Sequence, residues 1–144
     1  MHTIIIQNDY AVASARLWAL VTEVSRFQQA MRGVVAFEAL PGERIERGQR
    51  FLSRRSTLGL RLVYDVEVLA CDHERLILRE THGRSGKQIF KHTLAVTPAA
   101  DGSRLTDKIE VEAGPLSLIS AYLARRHFEA QHRARLRTLG SEGF

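Results

Sequence analysis

Titratable side chains fall on one face of two consecutive segments in which apolar and polar residues alternate. Glu80 and His82 share a face of the segment RLILRETH, and His92 lies in the next segment, QIFKHTLAVT. Histidine titrates near neutral pH, and a neighbouring carboxylate can orient it for acid or base chemistry. The three residues are therefore candidates for a catalytic set. The alternative is a polar lining that pairs internally or orients a ligand.

Strand periodicity extends this face to the neighbouring segments, because alternate residues of a strand face the same side of a sheet. Charged groups are costly inside a protein unless they are paired. We therefore expect Arg55 to lie near Glu80 and His82. We also expect His92 to lie between Glu80 and Asp107.

Turn lengths decide which inner residues lie opposite each other. A turn at CDH places Tyr64 opposite Glu80. A five-residue turn, GRSGK, places Phe90 opposite Glu80 and keeps the inner face continuous, whereas a slip of one residue would turn a strand inside out. A turn at PAADGS then places Asp107 opposite Leu94.

The elements that carry these residues follow from the periodicity of the apolar positions. TIIIQND is predicted to be a strand, and ASARLWALVTEV and SRFQQAM are predicted to be two short helices. Six strands follow, from VVAFEAL to RLTDKIEVEA, and the inner face of the last one includes Ala113. Short turns predict an antiparallel meander with one face to cover. The chain has no repeats or linkers, so one domain is predicted over residues 1–144.

The final stretch, GPLSLISAYLARRHFEAQHRARLRTLG, predicts a long helix over about residues 116–139. Gly114 and Pro115 suit its N-cap and first position, and Gly140 suits the position just past its end. At about 100° per residue, an apolar stripe forms on one side, and we expect it to cover the sheet. We expect the arginines of the helix to face solvent. The stripe consists of Leu118, Ala121, Phe128, His132, Leu136 and Leu139, and Arg126, Arg133 and Arg137 lie nearly opposite.

Composition is typical of a soluble protein, with 44% hydrophobic and 26% charged residues. No apolar run approaches the roughly 20 residues of a membrane span, and the N-terminus lacks the features of a signal peptide. The one cysteine, Cys71, has no partner for an internal disulfide. We therefore expect a cytoplasmic protein.

The net charge of +5 is concentrated in the last helix. Its basic side lacks the interleaved aromatic residues that stack on nucleic-acid bases, so sequence-specific nucleic-acid binding is not expected. His127 and His132 lie about 140° apart around the helix, and Cys71 and His73 have no partner pair with the spacing of a zinc site. No metal and no cofactor are predicted.

The order of elements resembles the helix-grip fold of the SRPBCC (START-like) superfamily, specifically its bacterial polyketide cyclase/dehydrase-like branch. Three stretches carry the resemblance and together cover almost the whole chain. They are VASARLWALVTEVSRFQQAM, with Trp18 on the first helix, VVAFEALPGERIERGQRF, and GPLSLISAYLARRHFEAQHRARLRTL. The resemblance is one of architecture and includes no catalytic signature.

This resemblance implies an α+β fold in which a curved sheet wraps the long C-terminal helix and encloses a cavity for an apolar small molecule. Arg55 and Tyr64 suit the orientation of a ligand there, and His132 is the one titratable group that we expect the helix to offer. Mapped onto the inner face, the predicted lining is Arg55, Leu62, Tyr64, Val66, Leu78, Glu80, His82, Phe90, His92, Leu94, Asp107, Ile109, Ala121, Ala124, Phe128 and His132.

Three functions remain open at this point. The favoured one is binding or carriage of a small hydrophobic molecule such as a lipid, an isoprenoid or quinone, or an aromatic polyketide. The second is a polyketide cyclase or dehydratase that uses His92, His82 and Glu80. The third is an interaction module that docks on a ribosome or another protein through the basic helix. The sequence leaves the ligand and the choice between monomer and homodimer open.

Overall fold

The computed structural model describes residues 2–112 and 114–142, so Ala113 lies outside the described residues. Seven antiparallel strands form one sheet in the order β1-β7-β6-β5-β4-β3-β2. The predicted α+β helix-grip fold is confirmed. In chain order the elements are β1 (His2–Tyr10), α1 (Ser14–Thr22), α2 (Val24–Ala30), β2 (Val35–Glu38), β3 (Arg50–Thr57), β4 (Leu60–Asp72), β5 (Ile77–Arg84), β6 (Lys87–Ala99), β7 (Gly102–Val111), a 3-10 turn (Gly114–Leu116) and α3 (Ser117–Glu142).

The hairpin of β4 and β5 is longer than the sequence predicted. Glu80 lies opposite Val68, so the prediction that it lies opposite Tyr64 is wrong. The turn spans residues 73–76, and the carboxylate of Asp72 holds it by accepting two backbone N–H bonds of 2.9 and 3.0 Å. Asparagine and aspartate often fasten turns in this way. The register is displaced by an even number of residues, so Glu80 remains on the inner face.

The hairpin of β5 and β6 turns on two residues and not on the five that were predicted. Ser85 and the glycine after it both have positive φ angles, of 53° and 76°. A two-residue turn of this kind matches the twist of the flanking strands. A bulge after His82 absorbs the odd residue, so His92 and not Phe90 lies opposite Glu80.

The last hairpin confirms the predicted register, because Asp107 lies opposite Leu94. The two strands continue further toward the turn, to Gly102. A Cβ atom at Gly102 would lie 2.1 Å from the carbonyl oxygen of Tyr10, so this position has room only for glycine. The close approach locks the end of β1 against the start of β7.

The buried face of α3 differs from the predicted stripe. Phe128 is buried at 2% exposure, but Leu118 and Leu136 are 70% and 48% exposed. The predicted stripe was based on apolar residues alone. In the structure, three polar residues spaced one turn apart face the sheet, so the buried side of the helix is rotated relative to that stripe. Arg135 among them contradicts the expectation that all the arginines of α3 face solvent. The series is His127, Gln131 and Arg135.

Both ends of α3 also differ from the prediction. Gly114 has a φ of 57° and belongs to a 3-10 turn, so the α-helix begins at Ser117 and not directly after a glycine cap. Gly140 remains helical, and the helix ends at Glu142. A glycine near a helix end can stay helical, because its lack of a side chain permits a left-handed turn without requiring one.

Three apolar clusters hold the layers together. Trp18 of α1 is buried against the sheet, and its indole N–H donates to Nδ1 of His73 at 3.0 Å. Trp18 therefore packs α1 against the sheet. A second cluster joins Phe90 and Ile109 of the sheet to Phe128 of α3. The helix is therefore fixed near its middle by one aromatic residue.

We expect Phe128→Ala to lower the free energy of unfolding by about 3–5 kcal/mol, because it removes a buried aromatic ring and leaves a cavity. Leu136→Ala provides the matched control on the same helix and should change it by less than about 0.5 kcal/mol. Chemical denaturation of both variants measures the two values. Equal losses would contradict the observed orientation of α3.

Candidate ligand site between the sheet and the C-terminal helix

A small cavity of about 40 Å³ lies between the inner face of the sheet and the three helices. This is room for about three water molecules, well below the roughly 300–1,000 Å³ of ligand pockets. The interior is therefore nearly filled. Its wall consists of Val21, Phe27, Val35, Phe37, Ile45, Ser53, Arg55, Leu78, Glu80, His82, His92, Leu94, Phe128, Gln131 and Arg135.

A wider concavity of about 600 Å³ lies on the outer face of the sheet, around Arg50, Asp65 and Lys87. It is open to solvent, and its charged groups are exposed, as in the pair of Arg50 and Glu67 at 3.4 Å. Water competes for such groups, and small-molecule sites bury most of the ligand surface. The smaller interior cavity is therefore the better candidate site.

The structure brings only part of the predicted lining to this cavity. The cavity lies toward α1, α2 and β2, whereas side chains at the other end of the sheet pack into the cluster around Phe90. The predicted residues on the wall are Arg55, Leu78, Glu80, His82, His92, Leu94 and Phe128. Those off the wall are Leu62, Tyr64, Val66, Phe90, Asp107, Ile109, Ala121, Ala124 and His132.

Buried polar side chains form one continuous chain of hydrogen bonds across β3, β5, β6 and β7. Nη2 of Arg55 contacts Nδ1 of His82. Nε2 of His82 and Nδ1 of His92 both contact Oε1 of Glu80, at 3.2 and 3.1 Å. Nε2 of His92 contacts Oδ1 of Asp107 at 2.7 Å. His92 thus lies between Glu80 and Asp107, as the inner-face pattern predicts.

His82 is neutral in this chain. An arginine only donates hydrogen bonds, so Nδ1 of His82 accepts from Arg55 and its proton lies on Nε2, which donates to Glu80. Burial and the nearby charge of Arg55 lower the pKa of His82 to about 4, although Glu80 opposes the shift. Arg55 lies near His82 and Glu80, as expected, but it reaches Glu80 through His82 and makes no direct ion pair with it.

His92 is doubly protonated. Both of its ring nitrogens face carboxylate oxygens, which accept only, so each nitrogen donates. Burial alone would lower the pKa of His92, but the hydrogen bonds to Asp107 and Glu80 outweigh burial and raise it to about 9. Burial likewise opposes ionisation of Glu80, yet the hydrogen bonds from His82 and His92 hold its pKa below the usual range.

A second chain of hydrogen bonds runs along α3. Nη2 of Arg135 donates to Oε1 of Gln131 at 2.9 Å, and Nε2 of Gln131 donates to Nε2 of His127 at 2.8 Å. Burial, followed by the charges of neighbouring arginines and histidines, lowers the pKa of His127 well below its usual value. Nε and Nη1 of Arg135 have no acceptor. The sequence offered no signal for Arg135 beyond its four-residue spacing from Gln131.

His132 does not face the cavity. Its Nδ1 lies 2.6 Å from the hydroxyl of Tyr10, at the β1 side of the helix. The expectation that His132 is the titratable group of the helix at the cavity is wrong, because the helix is rotated and presents Gln131 and Arg135 there instead.

The arrangement of Glu80, His82 and His92 has the spacing of a metal site, with one donor atom from each within 4.8 Å of the others. In the sequence, the signal for this cluster is that Glu80 and His82 are two residues apart on one strand and that His92 follows on the next strand. However, Nε2 of His82 carries a proton when Nδ1 accepts from Arg55. If Nε2 coordinated a metal ion, the proton would have to lie on Nδ1. There it would meet the N–H donor of Arg55, and two donors would face each other. The arrangement therefore does not fit a metal ion.

The same cluster is not arranged to act as a general base. His92 holds its proton between two carboxylates, and the one lone pair of His82 accepts from Arg55. Burial raises the pKa of the Cys71 thiol to about 11, which keeps it in the unreactive form. The geometry therefore suits binding better than proton abstraction.

No protein-family model matches the sequence, and no curated protein matches it. Solved structures match over most of the chain. Protein Ms6760 from Mycobacterium smegmatis has a TM-score of 0.78 at 12% identity, with 97% of this chain and 92% of that chain covered. Ara h 8.0201 has a TM-score of 0.69, and the ginseng major latex-like protein 151 from Panax ginseng has a TM-score of 0.65. Each is 14% identical to this chain, and each alignment covers 92% of this chain and 93% of the other. These similarities show a shared fold.

No helix within the described part of the chain is long and apolar enough to cross a membrane.

We expect the free energy of unfolding to fall by about 2–3 kcal/mol as the pH rises from about 6.5 to 9. The folded pKa of His92 exceeds the unfolded value of 6.5, so its contribution is complete below pH 6.5 and is lost as the pH rises through the folded value. Denaturation at several pH values should show this decline in the natural protein and in the control His2→Gln. The decline should be absent in the double variant His92→Gln/Asp107→Asn, which removes the cation together with one of its two carboxylate partners, and its persistence there would contradict the assignment.

Proposed function

We propose that this chain, which has the helix-grip fold of the SRPBCC (START-like) superfamily, binds a small and largely apolar molecule between the sheet and α3. One observation carries the proposal. The small cavity has an apolar side formed by Phe27, Phe37 and Phe128 and a polar side that includes Arg55 and Arg135. Apolar walls with a few placed polar groups are characteristic of small-molecule sites.

The cavity must widen to admit such a molecule, and its apolar side is the part best able to yield. The rings of Phe27 and Phe37 stack at 4.7 Å, and Phe37 is only half-buried. Phe37 lies on β2, a strand of four residues at the edge of the sheet. Displacing it breaks few backbone hydrogen bonds, whereas the polar side is tied across four strands.

A lipid chain, an isoprenoid or quinone tail and an aromatic polyketide all present the apolar surface that this wall would accept. We propose one domain over residues 1–144 that works in the cytoplasm, since Cys71 has no cysteine partner in the sequence. A cyclase or dehydratase gains no support from His82 or His92, which offer no free lone pair. A ribosome or protein dock through α3 would rest on its exposed arginines alone, of which Arg126 pairs with Glu129 at 3.6 Å.

Native mass spectrometry tests the proposal, on protein purified without detergent and then mixed with fatty acids, quinones and flavonoids. We expect at least one class to bind. We expect Phe37→Ala to bind the same molecule several-fold more tightly, because less apolar wall must be displaced. The matched control is Leu62→Ala, a half-buried apolar residue away from the cavity, which should leave the affinity unchanged.

Absence of binding in both the natural protein and Phe37→Ala, across all three classes, would refute the proposal. Equal gains in Phe37→Ala and Leu62→Ala would show that general loosening of the fold, and not the cavity wall, controls affinity.

A further inference from the structure

Charge inside the protein is unevenly distributed around the cavity. The hydrogen-bond chain is balanced in charge, because it holds two cations, Arg55 and His92, and two carboxylates, Glu80 and Asp107. Arg135 stands outside this balance. Its side chain has 0% exposure, so bulk solvent does not screen its charge. The interior therefore carries one surplus positive charge.

Arg135 also has N–H donors without acceptors. Nη2 donates to the side-chain oxygen of Gln131, the neutral hydroxyl of Tyr10 is a second hydrogen-bond partner of the guanidinium, and Nε and Nη1 have no acceptor. Gln131 and Tyr10 are neutral, so these bonds leave the charge uncompensated. A buried cation without an anionic partner is strongly unfavourable, and arginine is suited to recognising carboxylates.

The titratable groups near Arg135 do not supply that anion. Within the described ranges, no carboxylate oxygen lies at ion-pair distance from it; Asp107 binds His92 through Oδ1, and its Oδ2 has no hydrogen-bond partner. Tyr10 feels the charge of Arg135, but burial raises its pKa and keeps it neutral. His127 and His132 are also held neutral by burial and by the charge of Arg135, which lower their pKa values.

The cavity wall itself favours an anion. Arg55, His92 and Arg135 all line it, and Glu80 is the one carboxylate there. A positive potential in a weakly screened space attracts negative charge. The volume of about 40 Å³ is room for a group of about three heavy atoms, which is the size of a carboxylate.

We propose that the ligand is an organic carboxylate whose acid group binds Arg135 and whose apolar body lies against Phe27 and Phe37. This inference rests on the proposed function and names the chemical class of its ligand. One carboxylate matches the single surplus charge. A neutral molecule of the same shape would leave Arg135 uncompensated.

Isothermal titration with matched pairs tests the inference, using decanoate against 1-decanol and cinnamate against cinnamyl alcohol at neutral pH. We expect the natural protein to bind the acid of at least one pair roughly tenfold or more tightly than its alcohol. We expect Arg135→Met to lose this preference and to bind acid and alcohol with similar affinity. Arg133→Met, the same change at an exposed position of α3, should keep the preference.

Thermal unfolding without ligand distinguishes a ligand-binding arginine from a structural one. Removing a structural Arg135 would lower the unfolding temperature. We expect Arg135→Met to unfold at the same temperature as the natural protein or higher, because it removes an uncompensated buried charge. If Arg135→Met fails to fold, Arg135→Lys keeps the charge with fewer donors and should show a reduced but measurable preference for the acid.

The outcomes separate this inference from the proposed function. Equal affinity of the natural protein for acid and alcohol would overturn the carboxylate inference and leave binding of an apolar molecule standing. An acid preference that survives in Arg135→Met would also overturn it. Failure of all four probes, together with the fatty acids, quinones and flavonoids, to bind either the natural protein or Phe37→Ala would overturn the proposed function itself.

Discussion

The placement of His92 between two buried carboxylates is the interaction on which the rest of the interior depends. Its ring nitrogens lie 3.1 Å from Oε1 of Glu80 and 2.7 Å from Oδ1 of Asp107. Two unpaired carboxylates in this position would be prohibitively costly, and a protonated histidine between them makes both tolerable. Because Glu80 is thereby ionised, it also accepts a hydrogen bond from Nε2 of His82. Three strands are linked by side chains as well as by their backbone bonds.

This chain of hydrogen bonds also divides the cavity into two unlike halves. The polar half is cross-linked over four strands and has little freedom to move. The other half depends on aromatic contacts between α2, the short strand β2 and α3, which are non-directional and can be exchanged for contacts with a ligand. A nearly filled interior can therefore still bind a ligand, because the aromatic side of the cavity can move while the polar side stays in place.

The sequence predicted the fold well, because strand alternation, turn residues and the long final helix are local signals. It also predicted the position of His92, since errors in both hairpin registers were even and left the inner face unchanged. The orientation of α3 was not predictable in the same way. Apolar periodicity gives no weight to a buried Gln131 or Arg135, which only the surrounding sheet and the packing of the helix bring inward. For the same reason, the cavity was placed too far toward Phe90.

The central claim is that a charge-balanced chain of hydrogen bonds, centred on a cationic His92, crosses the inner face of the sheet. A long-range proton–nitrogen NMR spectrum of the imidazole rings tests it most directly, because it reports the protonation of each ring nitrogen. At neutral pH the account requires His92 to carry protons on both nitrogens and His82 to carry one on Nε2 alone. A neutral His92 at pH 7, or a proton on Nδ1 of His82, would contradict it.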